Sequence, residues 1–278
     1  MDVKIARTAG FCWGVRRTVD KVMQVAETTA GVVVTIGPII HNPQAVERMR
    51  KKGVGTVDAI GEIADGTTVV VRTHGAVKSE LESAKARGLE VVDGTCPYVK
   101  YPQVMAQRLT RDGYHLVVVG DANHAEVKGV VSYAEGPYTI VRPGASIPAI
   151  PGKKVAVIAQ TTCIGAEFER VVGALALRHS EVRAVNTICN DTDERQDDAK
   201  LLAREVDAVV VVGGKNSANT RHLAEICRNI QPRTWHVETE EELQPEWFQG
   251  CRLVGVSAGA STPDWVVEGV AERLRSLP

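Results

Sequence analysis

The chain has 278 residues, 44% of them hydrophobic and 24% charged, the composition of an ordinary globular protein with a core large enough for two or three domains. A formal net charge of −1 excludes a general basic field for nucleic acid, although local cations can still hold a small anion. No window approaches the roughly 18 consecutive apolar residues of a membrane-spanning helix. The opening "MDVKIARTAG" also lacks the basic-then-apolar layout of a secretory leader, so a cytoplasmic protein without membrane insertion or nucleic-acid partner is expected.

In chain order, an N-terminal strand is expected within residues 1–9, then "GFCWGVRRTVD" entering a helix after Cys12. Six apolar runs follow: "VVVTIGPIIHNP", "TTVVVRTHG", "HLVVVGDANHAE", "KKVAVIAQTT", "DAVVVVGGKNSAN" and "CRLVGVSAGAS". Their unbroken Val/Ile content, without polar alternation, predicts strands buried on both faces, as in a parallel sheet covered by helices. Helical patterns lie between them in "NPQAVERMRKKG", "KSELESAKARG", "TRHLAEICRNI" and "TPDWVVEGVAERLRSL". Several end with Gly after a basic last turn, a helix stop. Repeated strand–loop–helix units predict an α/β fold.

The six cysteines are Cys12, Cys96, Cys163, Cys189, Cys227 and Cys251, and no two are closer than the 24 positions between Cys227 and Cys251. This spacing removes zinc ribbons, CxxC redox motifs and local ferredoxin patterns. Disulfides are disfavoured in a reducing compartment, so a buried thiol is the default for each cysteine. Three of them, however, share a context. "GFCWGVRRTVD", "DGTCPYVK" and "NTICNDTDERQ" each set a cysteine just before an expected helix, 84 and 93 residues apart. The spacing divides the chain into α/β domains at 10–95, 96–188 and 189–272. Three such domains around a pseudo-threefold axis would bring Cys12, Cys96 and Cys189 together.

Ligands of α/β sheets bind at the carboxyl ends of strands, where loops and helix N-termini expose N–H groups. Those ends carry His41-Asn42, Thr73-His74-Gly75, His124-Ala125-Glu126, Gln160-Thr161-Thr162, Asn216-Ser217-Ala218-Asn219 and Gly259-Ala260-Ser261. Histidines, hydroxyls and amides in this number suit a phosphate or diphosphate. A metal site built from the three histidines is the alternative, against which their wide spacing counts. Glu126, two residues after His124, is placed to hold or pass a proton. Lys128, Lys215 and Arg221 can add positive potential, or be ordinary surface charges. Cys163 also follows a strand, whereas Cys227 and Cys251 look structural. Three thiolates without a fourth suggest a [4Fe–4S] cluster with one open iron, hence redox chemistry on a phosphorylated, oxygen-bearing small molecule.

"GFCWGVRRTVD", "GPIIHNPQ", "RTHG", "DGTCPYVK", "NHAEVKG", "AQTT", "TICNDTDERQ", "GGKNSANTRHL" and "SAGASTPDW" follow the order and spacing of the 4-hydroxy-3-methylbut-2-enyl diphosphate reductase family, which the chain resembles over nearly its whole length. The resemblance implies three α/β domains in a trefoil around a central iron–sulfur site. It makes Cys12, Cys96 and Cys189 the ligands of one [4Fe–4S] cluster with an open iron. It makes Glu126 the proton source, with His124 and Thr161 beside it in the catalytic set. His41, His74, His124 and Thr161 would face the substrate, and Ser217, Asn219 and Ser261 would complete the diphosphate cradle. The implied reaction removes the hydroxyl of an allylic diphosphate with two electrons, giving isopentenyl and dimethylallyl diphosphate. It needs an electron donor such as ferredoxin or flavodoxin.

Three departures stand out. Ala218 occupies a place where the family usually has a second serine, "NHAEV" replaces Gly-His-Pro-Glu-Val, and "NDTDERQ" adds acidic residues after Cys189. Two other functions compete. An iron–sulfur sensor would not need the His/Ser/Asn cradle or Glu126, and a phosphate-binding transferase with structural cysteines would be colourless.

Overall fold

The computed structural model describes residues 1–277. It contains three four-stranded sheets, all of whose strand pairs are parallel, so the α/β expectation holds. The described residues divide into two compact units: residues 1–16, 40–52 and 190–277 form the first, and residues 17–39 and 53–189 the second. The expected 10–95 domain therefore gives residues 10–16 and 40–52 to the first unit.

In the first unit the sheet order is β1 (Asp2–Ile5), β12 (Leu253–Ala258), β10 (Ala208–Val212), β11 (Thr234–Val237). The N-terminal strand belongs here because β1 pairs with β12, Asp2 opposite Leu253. Helices α2 (Pro43–Lys51), α7 (Asn190–Glu205), α8 (Ala218–Ile230) and α9 (Asp264–Ser276) complete this unit. On β10, Ala208, Val210 and Val212 enter one core with Val266, Val270 and Leu274 of α9. Val209 and Val211 enter another with Leu202, Leu223 and Cys227. Side chains alternate across the strand, so a valine run fills both cores at once.

The second unit holds two sheets. One has the order β3 (Val54–Val57), β2 (Val33–Ile36), β4 (Thr68–Val71), β5 (Glu90–Asp93), and the other β7 (Tyr138–Val141), β6 (His115–Val119), β8 (Lys154–Ala159), β9 (Glu181–Ala184). Helices α3 (Lys78–Ala86), α4 (Pro97–Arg111), α5 (Ala125–Val131) and α6 (Gly165–Ala176) lie within it. Helix α1 (Trp13–Thr28) begins in the first unit and continues into the second. β6 repeats the two-faced pattern, with Val117 and Val119 in one core and Leu116 and Val118 in the other. At about 25 cal/mol per Å² of apolar surface, these layers are the main stabilising term of each sheet.

In all three sheets the six apolar runs supply the two central strands and the mixed-burial segments supply the edges. Cys251, expected at a strand start, lies two residues before β12.

Candidate active site

Each cysteine of the shared pattern directly precedes a helix: Cys12 before α1, Cys96 before α4 and Cys189 before α7. At Cys96 the local cause is explicit. Asp93 at the end of β5 accepts the Thr95 N–H through Oδ1 at 2.9 Å, turning the chain off the strand. Gly94 is required there because a Cβ would collide with the Val71 carbonyl oxygen. Its own carbonyl accepts from Thr18 Oγ1 of α1 at 2.7 Å. The Cys96 N–H then donates to the Thr73 carbonyl at 3.0 Å, and Pro97 takes the first helical position, where its missing N–H costs nothing.

The helix start turns N–H groups toward sulfur. Burial raises the Cys96 thiol pKa above its ordinary value, while the Tyr98 and Val99 N–H groups, hydrogen-bonded to it, pull it down. In the first unit the Val15 N–H donates to Cys12 Sγ at 3.4 Å, and the Cys12 N–H donates to the Ala260 carbonyl at 3.1 Å. The Cys189 N–H donates to the Thr161 carbonyl at 2.9 Å. No disulfide is present among the described residues. Burial also pushes the Cys163 and Cys227 thiols up, to about 11 and about 12, as suits neutral core residues. The donor set at Cys96 and Cys12, thiols receiving helix-start N–H groups, fits the sulfur of a metal cluster.

Glu126 is a buried, doubly hydrogen-bonded carboxyl of the second unit. It is only 1% exposed, and its two carboxylate oxygens accept from Thr161: Oε1 from the N–H at 2.6 Å and Oε2 from the hydroxyl at 2.8 Å. Burial raises its pKa, and the two Thr161 bonds oppose that rise without cancelling it. A carboxyl in this state keeps a proton to higher pH than an ordinary glutamate does.

His124 is the N-cap of α5, its Nδ1 accepting the Glu126 N–H at 3.2 Å. That bond makes Nδ1 an acceptor, so the proton of the neutral ring sits on Nε2. His74 packs edge-on against it, with ring centroids 5.2 Å apart at 86°. Gly75, at φ +76°, gives the turn after β4 room, because a Cβ would come within 2.6 Å of Gln103 Nε2. The second unit thus brings together the neighbourhoods of His74, Cys96, His124, Glu126, Thr161 and Cys189.

The first unit gathers the rest. Ser261 Oγ donates to the His41 carbonyl at 3.3 Å, in the loop whose Ala260 carbonyl takes the Cys12 N–H. Ser217 caps α8, accepting the Thr220 N–H at 3.3 Å, and Asn219 is the second helical residue. Ala218, the first, is exposed and brings no hydroxyl. Of the expected cations, Lys215 is bonded to Glu242, and Arg221 donates to the Lys215 carbonyl at 3.0 Å. Lys215 is thus ion-paired locally, while Arg221 spends one N–H on a neutral carbonyl and keeps its charge.

Three supporting roles escaped the sequence reading. Thr220 is fully buried, and its side chain is the reason that position 259 is glycine, where any Cβ would strike it. Arg195, 2% exposed, donates to the carbonyls of Thr8 and Ala258 (the latter at 2.9 Å) and clamps the end of β12. It lies inside an acidic-looking run and gives no signal there. Asn42 caps α2 through Oδ1 while its Nδ2 is buried without a hydrogen-bond partner. Here "HNP", an Asn before a helix-starting Pro, was the readable sign.

Comparison with known proteins shows the family of the chain. The family model described as LytB protein matches residues 3–275. The chain is 80% identical over 277 residues to the 4-hydroxy-3-methylbut-2-enyl diphosphate reductase of Anaeromyxobacter sp. (strain Fw109-5), covering 100% of this chain and 98% of the relative. It is 50% identical over 278 residues to the enzyme of the same name from Geobacter sulfurreducens, covering 100% and 98%. A solved structure of (E)-4-hydroxy-3-methyl-but-2-enyl diphosphate reductase, described as the terminal enzyme of the non-mevalonate pathway, is 44% identical with a TM-score of 0.78, over 99% of each chain. The Plasmodium falciparum E-1-hydroxy-2-methyl-but-2-enyl-4-diphosphate reductase, at 23% identity and a TM-score of 0.90 over 100% of this chain and 89% of that one, shares the fold.

Proposed function

From the premise that the chain belongs to the LytB protein family and is an oxidoreductase, we infer that it reductively dehydroxylates 4-hydroxy-3-methylbut-2-enyl diphosphate. The balance is one substrate, two electrons and two protons giving one water and either isopentenyl or dimethylallyl diphosphate. The observation that carries this reading is the buried Glu126 carboxyl, held at both oxygens by Thr161 and raised in pKa, beside a histidine whose proton is fixed on Nε2.

Cys12, Cys96 and Cys189 are the residues proposed to hold a [4Fe–4S] cluster. When bound, a cluster with three protein thiolates supplies electrons and an open Lewis-acidic iron. The chain's own residues do the rest. Glu126 holds a proton away from bulk water and delivers it to the departing oxygen, so that water leaves rather than hydroxide. Thr161 fixes the direction of that carboxyl. His124 donates through Nε2 to an anionic oxygen, and His74, packed against it, restricts its ring. Ser217, Asn219, Ser261 and His41 are proposed to hold the diphosphate, helped by the N-terminal dipole of α8, whose first turn carries no acidic residue. A second proton at either end of the allylic unit decides between the two products. The reading is tested by anaerobic incubation of the reconstituted enzyme with the hydroxylated diphosphate and reduced methyl viologen. Formation of both C5 diphosphates is expected, and their absence overturns it.

A further inference from the structure

We propose that Arg17 of α1 is a positioning residue that raises the reduction potential of the iron–sulfur site at Cys96, by holding a fixed positive charge and an unspent N–H group near it. The proposal rests on the reading of Cys96 as a cluster ligand. Arg16 and Arg17 take different directions, because successive helical residues point about 100° apart. Arg16 is exposed and pairs with Asp264 at 2.7 Å. Arg17 is half-buried, and its Nη1 is buried without a hydrogen-bond partner. Leaving a guanidinium N–H buried and unmatched costs stability. Thiolate and inorganic sulfide are anionic acceptors that would match it.

The packing of α1 fixes where Arg17 stands. Thr18 Oγ1 donates to the Gly94 carbonyl at 2.7 Å, and Lys21 Nζ donates to the Asp93 carbonyl at 2.8 Å. Both carbonyls belong to the short loop that ends at Cys96, so α1 is pinned along this loop on either side of Arg17's own turn. The charge is felt at the sulfur: burial raises the Cys96 thiol pKa, whereas the Arg17 guanidinium lowers it by attracting the thiolate. Neighbouring charges do not cancel this effect. The Asp93 carboxylate is taken by Lys100 at 2.6 Å. Glu126 acts on Cys96 in the opposite sense, but its buried carboxyl stays protonated, hence neutral, to higher pH than an ordinary glutamate. Arginine keeps its charge at every working pH. A cluster that takes up one electron gains one negative charge, so a fixed cation and an N–H donor near its sulfur both favour the reduced form.

The experiment is a redox titration of the anaerobically reconstituted holoenzyme with dithionite and mediator dyes, read by the iron–sulfur absorption band and by electron paramagnetic resonance. Arg17→Met removes the charge and the donors but keeps an apolar stem. Its one-electron reduction equilibrium is expected to shift about tenfold toward the oxidised form, a potential about 59 mV lower. Arg17→Gln, which keeps a donor without the charge, is expected to shift in the same direction. Arg17→Lys keeps the charge and should stay nearer to the parent than either. Parent-like potentials in the Met and Gln variants overturn the proposal. So does an Arg17→Lys potential as low as that of Arg17→Met, which would assign the effect to packing rather than to charge. Loss of iron from Arg17→Met with unchanged far-UV circular dichroism also overturns it, since Arg17 would then retain the cluster rather than tune it. If Arg17→Met does not fold, the Gln and Lys variants decide by the same criteria. A parent protein without an iron–sulfur band would overturn the cluster reading and this proposal together, whereas a parent band with unmoved variant potentials overturns the proposal alone.

Discussion

Thr161 grips Glu126 at both oxygens, its N–H 2.6 Å from Oε1 and its hydroxyl 2.8 Å from Oε2, although the two residues are 35 positions apart. The pair joins the start of α5 to the loop after β8, which are neighbours only because β6 and β8 pair in parallel. A glutamate on an exposed loop would be mobile; here it is aimed by Thr161, and burial makes it keep a proton to higher pH than an ordinary glutamate. Glu126→Gln keeps the shape and removes the acid. Turnover is expected to fall by about 10²- to 10⁴-fold, with substrate affinity and the iron–sulfur absorption band kept. Single-turnover kinetics with separate substrate titration checks this, and an unchanged rate removes Glu126 from the chemistry.

The same burial sets a pH dependence of stability. Because the folded-state pKa of Glu126 is raised, its contribution is fully present below the ordinary carboxylate pKa and is lost as pH rises through the raised value. Gln cannot ionise and escapes that loss. The Tm of Glu126→Gln relative to the parent should therefore increase as pH rises above the ordinary carboxylate range in scanning calorimetry of the same preparations. A difference that stays flat over that rise would mean that the carboxyl titrates normally.

Thr161→Val removes the hydroxyl bond and keeps the backbone one. Both Thr161 bonds favour the charged carboxylate, so losing one pushes the Glu126 pKa further up. The alkaline limb of the kcat profile should move to higher pH while kcat itself falls as the carboxyl loses its orientation. A fall without any shift in the limb would separate positioning from proton affinity.

The layered sheets were legible in the sequence because the six continuous apolar runs are the central strand pairs, buried on both faces. The edge strands were not, because segments such as "YTIV" and "EVRA" are half exposed and short. The helix starts after Cys12, Cys96 and Cys189 could be read from local residues. What supports the site could not: the Glu126–Thr161 bonds, the Gly259–Thr220 approach and the Arg195 clamp all depend on strand register. Residues 40–52 also joined a unit that their sequence position did not suggest, since no composition shift marks them.

Cys12, Cys96 and Cys189 each directly precede a helix, and iron content should follow that placement. Cys12→Ser, Cys96→Ser and Cys189→Ser are each expected to lower bound iron and the visible absorption band after anaerobic reconstitution. Cys227→Ala, at a thiol pushed to about 12 by burial, is expected to cost stability but keep full iron. Its cavity cost is of the order of 1 kcal/mol, seen as a lower Tm. Iron lost equally from Cys227→Ala and from the three serine variants would remove the distinction.

Ala218 offers a gain-of-function test of the diphosphate cradle. It is the first residue of α8, between Ser217, which caps the helix, and Asn219, so a hydroxyl there would sit among N–H groups that already face an anion's natural place. A new neutral hydrogen bond is worth about 0.5–1.5 kcal/mol, and one to a charged oxygen more. Ala218→Ser is therefore expected to lower the KM for the diphosphate substrate by roughly two- to tenfold. The effect on kcat should be small, because a contact to the diphosphate binds substrate and transition state alike. Steady-state kinetics with reduced methyl viologen gives both constants. A KM that does not move would place the diphosphate somewhere other than the start of α8, and a KM that rises would mean that the present helix start already fits its anion more closely than a serine allows.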